Sequence, residues 1–188
     1  MTKYWYERNP ALLEAEKSSL ETFKREYNHP LFKYACRLRR PPHMSPEDPS
    51  CDGKFEVRVQ LPFRAGEGSP LEIWTIQLLW DDYHPIEKWN GYGDTIKAYP
   101  LRRVQDTGDG VFKEIPINLT YPHMVRDMSS PSHRLYISSG YISSGRRSSE
   151  EMNAYRVLQD LTRWLAFYFI WETTGSDIDA MPSTKGDY

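Results

Sequence analysis

Cysteine is almost missing from this chain: only Cys36 and Cys51 occur. No CxxC pair and no Cys/His cluster has zinc-ligand spacing, so no structural metal is expected. A cytosolic (cytoplasmic) protein with reduced thiols is the default. Long apolar runs are missing too. The most apolar stretch, Trp164 to Trp171, is too short to span a bilayer, and Arg163 interrupts it just upstream. The opening residues, MTKYWYERNP, have no apolar signal core, so no secretory peptide is expected. Charge of one sign is also lacking. The formal net charge of −2 gives no general ground for binding nucleic acid or an acidic membrane surface. The basic clusters at Arg37 to Arg40, Arg102-Arg103 and Arg146-Arg147 read as solvated surface. No cofactor is expected.

What the chain has is aromatic mass. Phe, Trp and Tyr make up 14% of it, including 13 Tyr and 6 Trp, which argues for a packed core rather than disorder. At 188 residues a single domain over 1–188 is expected, long enough to bury that core.

The order of elements follows from local patterns. Asn9 can cap a helix with Pro10 at its first position, where a missing N–H does no harm. Leu13, Leu20, Phe23 and Tyr27 then share a face, and Asn28-His29-Pro30 ends the run. The proline-rich stretch 28–53 is a connector, with a short strand or turn at Leu31–Leu38. Phe55, Val57, Val59 and Leu61 alternate with polar residues, as in a half-buried strand. Leu71 to Trp80 is nearly continuously apolar, suited to the middle of a sheet, and pairs with the preceding strand as an antiparallel hairpin. Ile96 to Val104 and Val111 to Leu119 make a third and fourth strand around the turn Asp106 to Gly110. Pro116 demotes the fourth to an edge or a bulge.

The last long element is a helix. Ser148-x-x-Glu151 has capping-box spacing. Tyr155, Leu158, Leu161, Leu165, Tyr168 and Phe169 recur at helical intervals, and the end from Trp164 to Trp171 is apolar nearly all round. Gly175 suits a helix stop. The expected fold class is therefore α+β: an N-terminal helix, a four-stranded antiparallel meander, a long irregular loop and a long C-terminal helix.

Tyr121-Pro122 ends the sheet, His133 follows in the loop, then Gly140, Ile142 and Ser143, and Trp164 to Gly175 closes the pattern. In element order over 10–175, and in these motifs over 121–175, the chain resembles the ubiquitin-conjugating enzymes. Their sheet ends in Tyr-Pro, and a His-Pro-Asn and a Gly-x-Ile/Val-Cys precede their helices. The C-terminal run looks like that of bacterial members, some encoded in CBASS antiphage operons and others beside bacterial ubiquitin-like proteins. The resemblance implies an acyl carrier that takes a protein C-terminus as a thioester at position 143. Its partners would be an activating enzyme and a ubiquitin-like protein or a nucleotidyltransferase C-terminus.

The departures bear on chemistry. The nucleophile position holds Ser143, and the family's proline and asparagine fall at Arg134 and Leu135. A thiolate both attacks and leaves easily near neutral pH; a serine hydroxyl needs an activating base, and its ester resists aminolysis. Ser143 thus implies a slow or dead carrier: a natural non-catalytic variant, a replaced cysteine, or a different register. Gly140 and Gly145 have the wrong spacing around Ser143 for a hydrolase elbow. His133 is the candidate catalytic histidine, or else a residue that hydrogen-bonds backbone and shapes the loop. Asp127 is a candidate carboxylate partner or a turn former. Tyr141, Arg146 and Arg147 are candidates for binding a peptide or an acidic tail. His84 and His123 read as solvent-facing loop residues.

Overall fold

Aromatic and β-branched residues drive the architecture seen in the computed structural model. It describes residues 4–38, 55–81, 84, 95–127, 133–137 and 153–177. A short helix α1 (Trp5–Arg8) leads into α2 (Pro10–Tyr27). The strands are β1 (Lys33–Leu38), β2 (Phe55–Phe63), β3 (Glu72–Trp80), β4 (Ile96–Asp106), β5 (Phe112–Ile115), β6 (Met124–Arg126) and β7 (Leu135–Ile137). The long helix α3 (Ala154–Thr174) closes the described chain.

The local signals explain the helix ends. The Asn9 side chain accepts from the Leu12 N–H at 3.1 Å, with Pro10 beginning α2, and Asn28 ends the helix in a left-handed turn at φ 46°. At the end of α3, Gly175 takes φ 72° and its N–H reaches the Trp171 carbonyl. The cap at its start is Asn153, which accepts from the Arg156 N–H at 3.0 Å. The Ser148 to Glu151 capping box lies outside the described residues. The short helix α1 has no counterpart in the sequence expectation. It buries Trp5 and Tyr6.

The sheet is larger than a four-stranded meander. Among the described residues it has seven strands, in the order β1-β2-β3-β4-β7-β6 with β5 also on β4, and every pairing between them is antiparallel. Within Leu31–Leu38, the strand alternative holds: Lys33–Leu38 form an edge strand paired with β2. The strand expected at Val111 to Leu119 shrinks to Phe112–Ile115, because Pro116 has no N–H for the ladder. The β6–β7 hairpin was not anticipated, since three-residue strands carry too little alternation to show as a pattern.

One face of the sheet packs on the helices. Val57, Val59, Leu61, Trp74, Ile76, Leu78, Trp80, Ile96 and Ala98 are buried there with Leu20, Phe23, Leu158, Leu161, Trp164 and Leu165. Trp74, Trp164, Tyr168 and Tyr121 meet edge to face, with centroids 5.3 to 6.0 Å apart in the pairs of Trp74 with Trp164 and Tyr168 and of Tyr121 with both. Each such pair adds about 1 kcal/mol beyond burial. The C-terminal half of α3 is less enclosed than its composition implies: Ala166, Phe167, Phe169, Ile170 and Trp171 are half-buried.

The other face is mixed: Gln77 and Lys97 lie there beside a small apolar cluster of Leu79, Tyr99 and Tyr136. The two faces are kept in step by an irregularity in β4. Ile76 pairs with Pro100 and Thr75 with Arg102, so Leu101 is an extra residue, 40% exposed. Beyond it the alternation of β4 reverses. Arg103, opposite Trp74, faces the helices, and Arg102 pairs with Glu114 at the surface.

Candidate functional site

The residues that frame the loop between β7 and α3 are fixed at both ends. On the entry side, β7 pairs with β6 through Met124↔Ile137, Val125↔Tyr136 and Arg126↔Leu135, and with β4 through Ala98↔Ile137. The hairpin is closed further by the Asp127 N–H donating to the Arg134 carbonyl at 2.8 Å. His133 then sits in the left-handed region at φ 48°, and its side chain is exposed. Such a backbone costs a residue with a Cβ about 1 kcal/mol, and histidine tolerates it better than most. His133 therefore stands at a left-handed turn just before β7.

Below the hairpin lies a buried polar cluster on the sheet face away from the helices. Asp127 Oδ1 accepts from Lys97 Nζ at 2.8 Å, and Asp127 Oδ2 accepts from the Tyr99 hydroxyl at 2.5 Å. Strand periodicity explains the meeting: Lys97 and Tyr99 point away from the helices, and the hairpin brings Asp127 onto the same side. Asp127 is thus no simple turn former, and its carboxylate is directed at Lys97 and Tyr99. The Arg134 guanidinium stacks on the Tyr99 ring at 4.1 Å and donates to Gln77 Oε1 at 2.9 Å. Burial pushes its pKa down from the usual arginine value. Arg134 thus fastens the hairpin to the sheet.

The exit side is held by a second buried cluster. Glu16, 1% exposed, occupies the core-facing stripe of α2 between Leu13 and Leu20. Its Oε2 accepts from the Ala154 N–H at 2.8 Å, at the first residue of α3. Its Oε1 lies 2.8 Å from His84 Nε2, and His84 Nδ1 lies 3.1 Å from Thr95 Oγ1. A carboxylate acceptor puts the proton on Nε2. The Trp5 ring packs against the imidazole at 5.0 Å. His84 is accordingly a core residue, 3% exposed, and not a solvent-facing one. One carboxylate ties α2, the β3–β4 connection and the start of α3 together. An unpaired buried carboxylate is strongly disfavoured, so these partners fix where α3 begins. His123 is half-buried and reaches Asp177 at 2.9 Å.

Ser143, Tyr141, Arg146 and Arg147 lie outside the described residues, as do Gly140 and Ile142. The structure brings Asp127 into the polar cluster and leaves His133 exposed at its rim. Among the described residues, no group of three His, Cys, Asp or Glu side chains is arranged to hold a metal ion. No helix among them is long and apolar enough to cross a membrane.

A third cluster pins the far end of α3. Arg103, 4% exposed, donates to both oxygens of Glu72 and both of Glu172 at 2.7 to 2.9 Å. Trp74 and Tyr168 wall the guanidinium at 5.0 and 5.3 Å, and Trp74 Nε1 donates to Glu72 at 2.9 Å. The pair Arg102-Arg103 is therefore solvated in its first member only. Chemically the three clusters are closed ion pairs and hydrogen-bond sets, suited to holding a backbone frame.

Comparisons with family models, with curated proteins and with solved structures find no match to this chain. The class that the structure itself defines is an α+β protein with N-terminal helices, an antiparallel sheet and a long C-terminal helix.

Proposed function

We propose that this chain is a protein-binding module of the ubiquitin-conjugating fold, serving a bacterial conjugation or antiphage defence system without acyl chemistry of its own. The carrying observation is the order of elements: a helix, an antiparallel meander, Tyr121-Pro122 beyond it, His133 before a short strand, and a long helix starting past position 143. Two features favour the non-catalytic form. Ser143 replaces the family's cysteine, and Leu135, at the asparagine position, lies on β7. A serine needs a base to attack an ester or thioester. The Asp127 carboxylate is held by Lys97 and Tyr99, and Glu16 and His84 are buried against each other; this reading takes the exposed His133 to be idle as a base. The partner would be a ubiquitin-like protein or the C-terminus of a nucleotidyltransferase, met by Tyr141, Arg146 and Arg147.

The spacing of His133, Gly140 and position 143 favours a second reading, an acyl carrier loaded by an activating enzyme. Two measurements separate them. Binding of a bacterial ubiquitin-like protein is titrated against Ser143→Ala, Tyr141→Ala and Arg146→Ala. The module reading expects no change for the first and roughly tenfold weaker binding for the other two. Ser143→Cys is then incubated with an activating enzyme, the ubiquitin-like protein and ATP. A thiol-reducible adduct on a gel would favour the carrier; its absence, with binding intact, supports the module.

A further inference from the structure

The sheet has an open edge at β1. Lys33 to Leu38 pair with β2 over their full length without a bulge or a proline, and no described strand lies on the other side. All but Tyr34 are exposed. By register, Tyr34 and Cys36 sit opposite Val59 and Val57, on the helix-bearing face; Lys33, Ala35 and Arg37 are on the reverse face. Between this edge and α2 runs an open cleft of about 540 Å³, lined by Lys17, Ser18, Thr22 and Arg25 from the helix and by Tyr34 and Cys36 from the strand.

Of the three charged residues lining the cleft, two are cations, Lys17 and Arg25. The third, Glu21, accepts from the Tyr34 hydroxyl. Lys24 lies over the Tyr34 ring at 5.9 Å, and Lys33 and Arg37 extend the basic character along the strand. The Lys17–Glu14 pair is exposed on both sides, so solvent screens it and Lys17 remains available to an incoming anion.

We propose that the cleft between α2 and β1 takes an acidic, extended segment of a partner protein, which adds to the sheet as a new edge strand. The outward N–H and C=O groups of β1, which no described strand meets, supply the ladder. Strand spacing turns alternate side chains of such a segment toward α2, where carboxylates meet Lys17 and Arg25. A second copy of this chain fits the edge poorly. If β1 paired with itself over Lys33 to Arg37, helices on the same side, Lys33 would face Arg37 twice, and like charges directly opposite are destabilising. This surface makes no use of position 143, so it stands or falls separately from the reading above.

The probe is a fluorescein-labelled peptide of alternating Glu and Val, about six residues long to match the strand. It is titrated by anisotropy into the full chain carrying Cys51→Ser, which leaves Cys36 as the only thiol. Partial desolvation beside the cleft raises the pKa of the exposed Cys36, so its alkylation by iodoacetamide is followed at mildly alkaline pH. The peptide is expected to bind and, at saturation, to slow Cys36 alkylation about tenfold. The same peptide N-methylated at alternate residues, and a Lys/Val counterpart, should bind at least about tenfold more weakly. Lys17→Glu with Arg25→Glu should weaken binding by about the same factor. Equal binding of the N-methylated peptide would reduce the effect to charge attraction and overturn the proposal. So would equal competition by single-stranded DNA, an unprotected Cys36, or concentration-dependent dimerisation that shields Cys36 without peptide. Should the charge-reversed variant fail to fold, the N-methylated peptide still decides on the parent chain.

Discussion

The two ends of α3 solve one problem with opposite charges. A helix presents bare N–H groups at its start and bare carbonyls at its end, and is stabilised by an anion at the first and a cation at the second. This helix carries no acidic residue in its first turn and no basic residue in its last, and places Glu172 near the unfavourable end. The complementary charges come from elsewhere in the fold. Glu16 of α2 accepts from the first N–H, and Arg103 of β4 binds Glu172 at the last turn. The N-terminal anchor is a set of hydrogen bonds converging on one carboxylate. The C-terminal anchor is a guanidinium with four charge-assisted bonds and aromatic walls, which holds the helix on the sheet. Local caps at Asn153 and Gly175 set the ends of this helix, and tertiary partners add the charged contacts that its own terminal turns lack.

The strongest way to break the comparison is Arg103→Ala. It strands the buried Glu72 carboxylate with Trp74 Nε1, and removal of one partner of a buried pair costs about 4 kcal/mol. Urea denaturation should show a lower midpoint, and Glu72→Gln added to it should recover part of the loss. Glu16→Ala comes next, at about 3 kcal/mol, because the Ala154 N–H and His84 both lose an acceptor. Glu16→Gln keeps an oxygen for Ala154, and should cost about 1 kcal/mol or less. Equal losses in the two variants would show that charge, rather than hydrogen bonding, matters at this end.

The third is a pH effect to which the C-terminal anchor contributes through Tyr168. Burial and the neighbouring Glu172 push the Tyr168 phenol up to about 12. An unfolded tyrosine ionises near 10, so the folded state holds its proton longer. The associated stability is intact below about pH 10 and is lost as pH rises through about 12, by on the order of 2 kcal/mol. Tyr168→Phe should flatten that alkaline fall in the urea midpoint. The smallest change is Asn153→Ala, which removes the side-chain cap at the Arg156 N–H and should cost about 1 kcal/mol.

Much of the frame was legible because it rests on local rules. Asn9-Pro10 starts α2, Gly175 ends α3, and the alternation of Phe55 to Leu61 and the apolar run to Trp80 are the paired strands β2 and β3. The anchors were harder. Glu16 interrupts the stripe of Leu13, Leu20 and Phe23, a visible sign of a charge held in the core, but its partner His84 is 68 positions away. Nothing local distinguishes a buried His84 from an exposed one. Asp127 looked like a turn residue because its partners, Lys97 and Tyr99, belong to another strand. Of the candidate site residues, the described backbone places His133 at a left-handed turn, which no local pattern announces, and Ser143, Tyr141, Arg146 and Arg147 lie outside the described residues.

Leu101 has a consequence out of proportion to its size. Arg102 and Arg103 are chemically identical neighbours, and this extra residue alone decides which is hidden and which is wetted. A one-codon deletion there would act as a parity error: the rest of β4 would change sides, the guanidinium would leave its aromatic cage, and two acids would be left behind. The strand keeps its meaning by miscounting once.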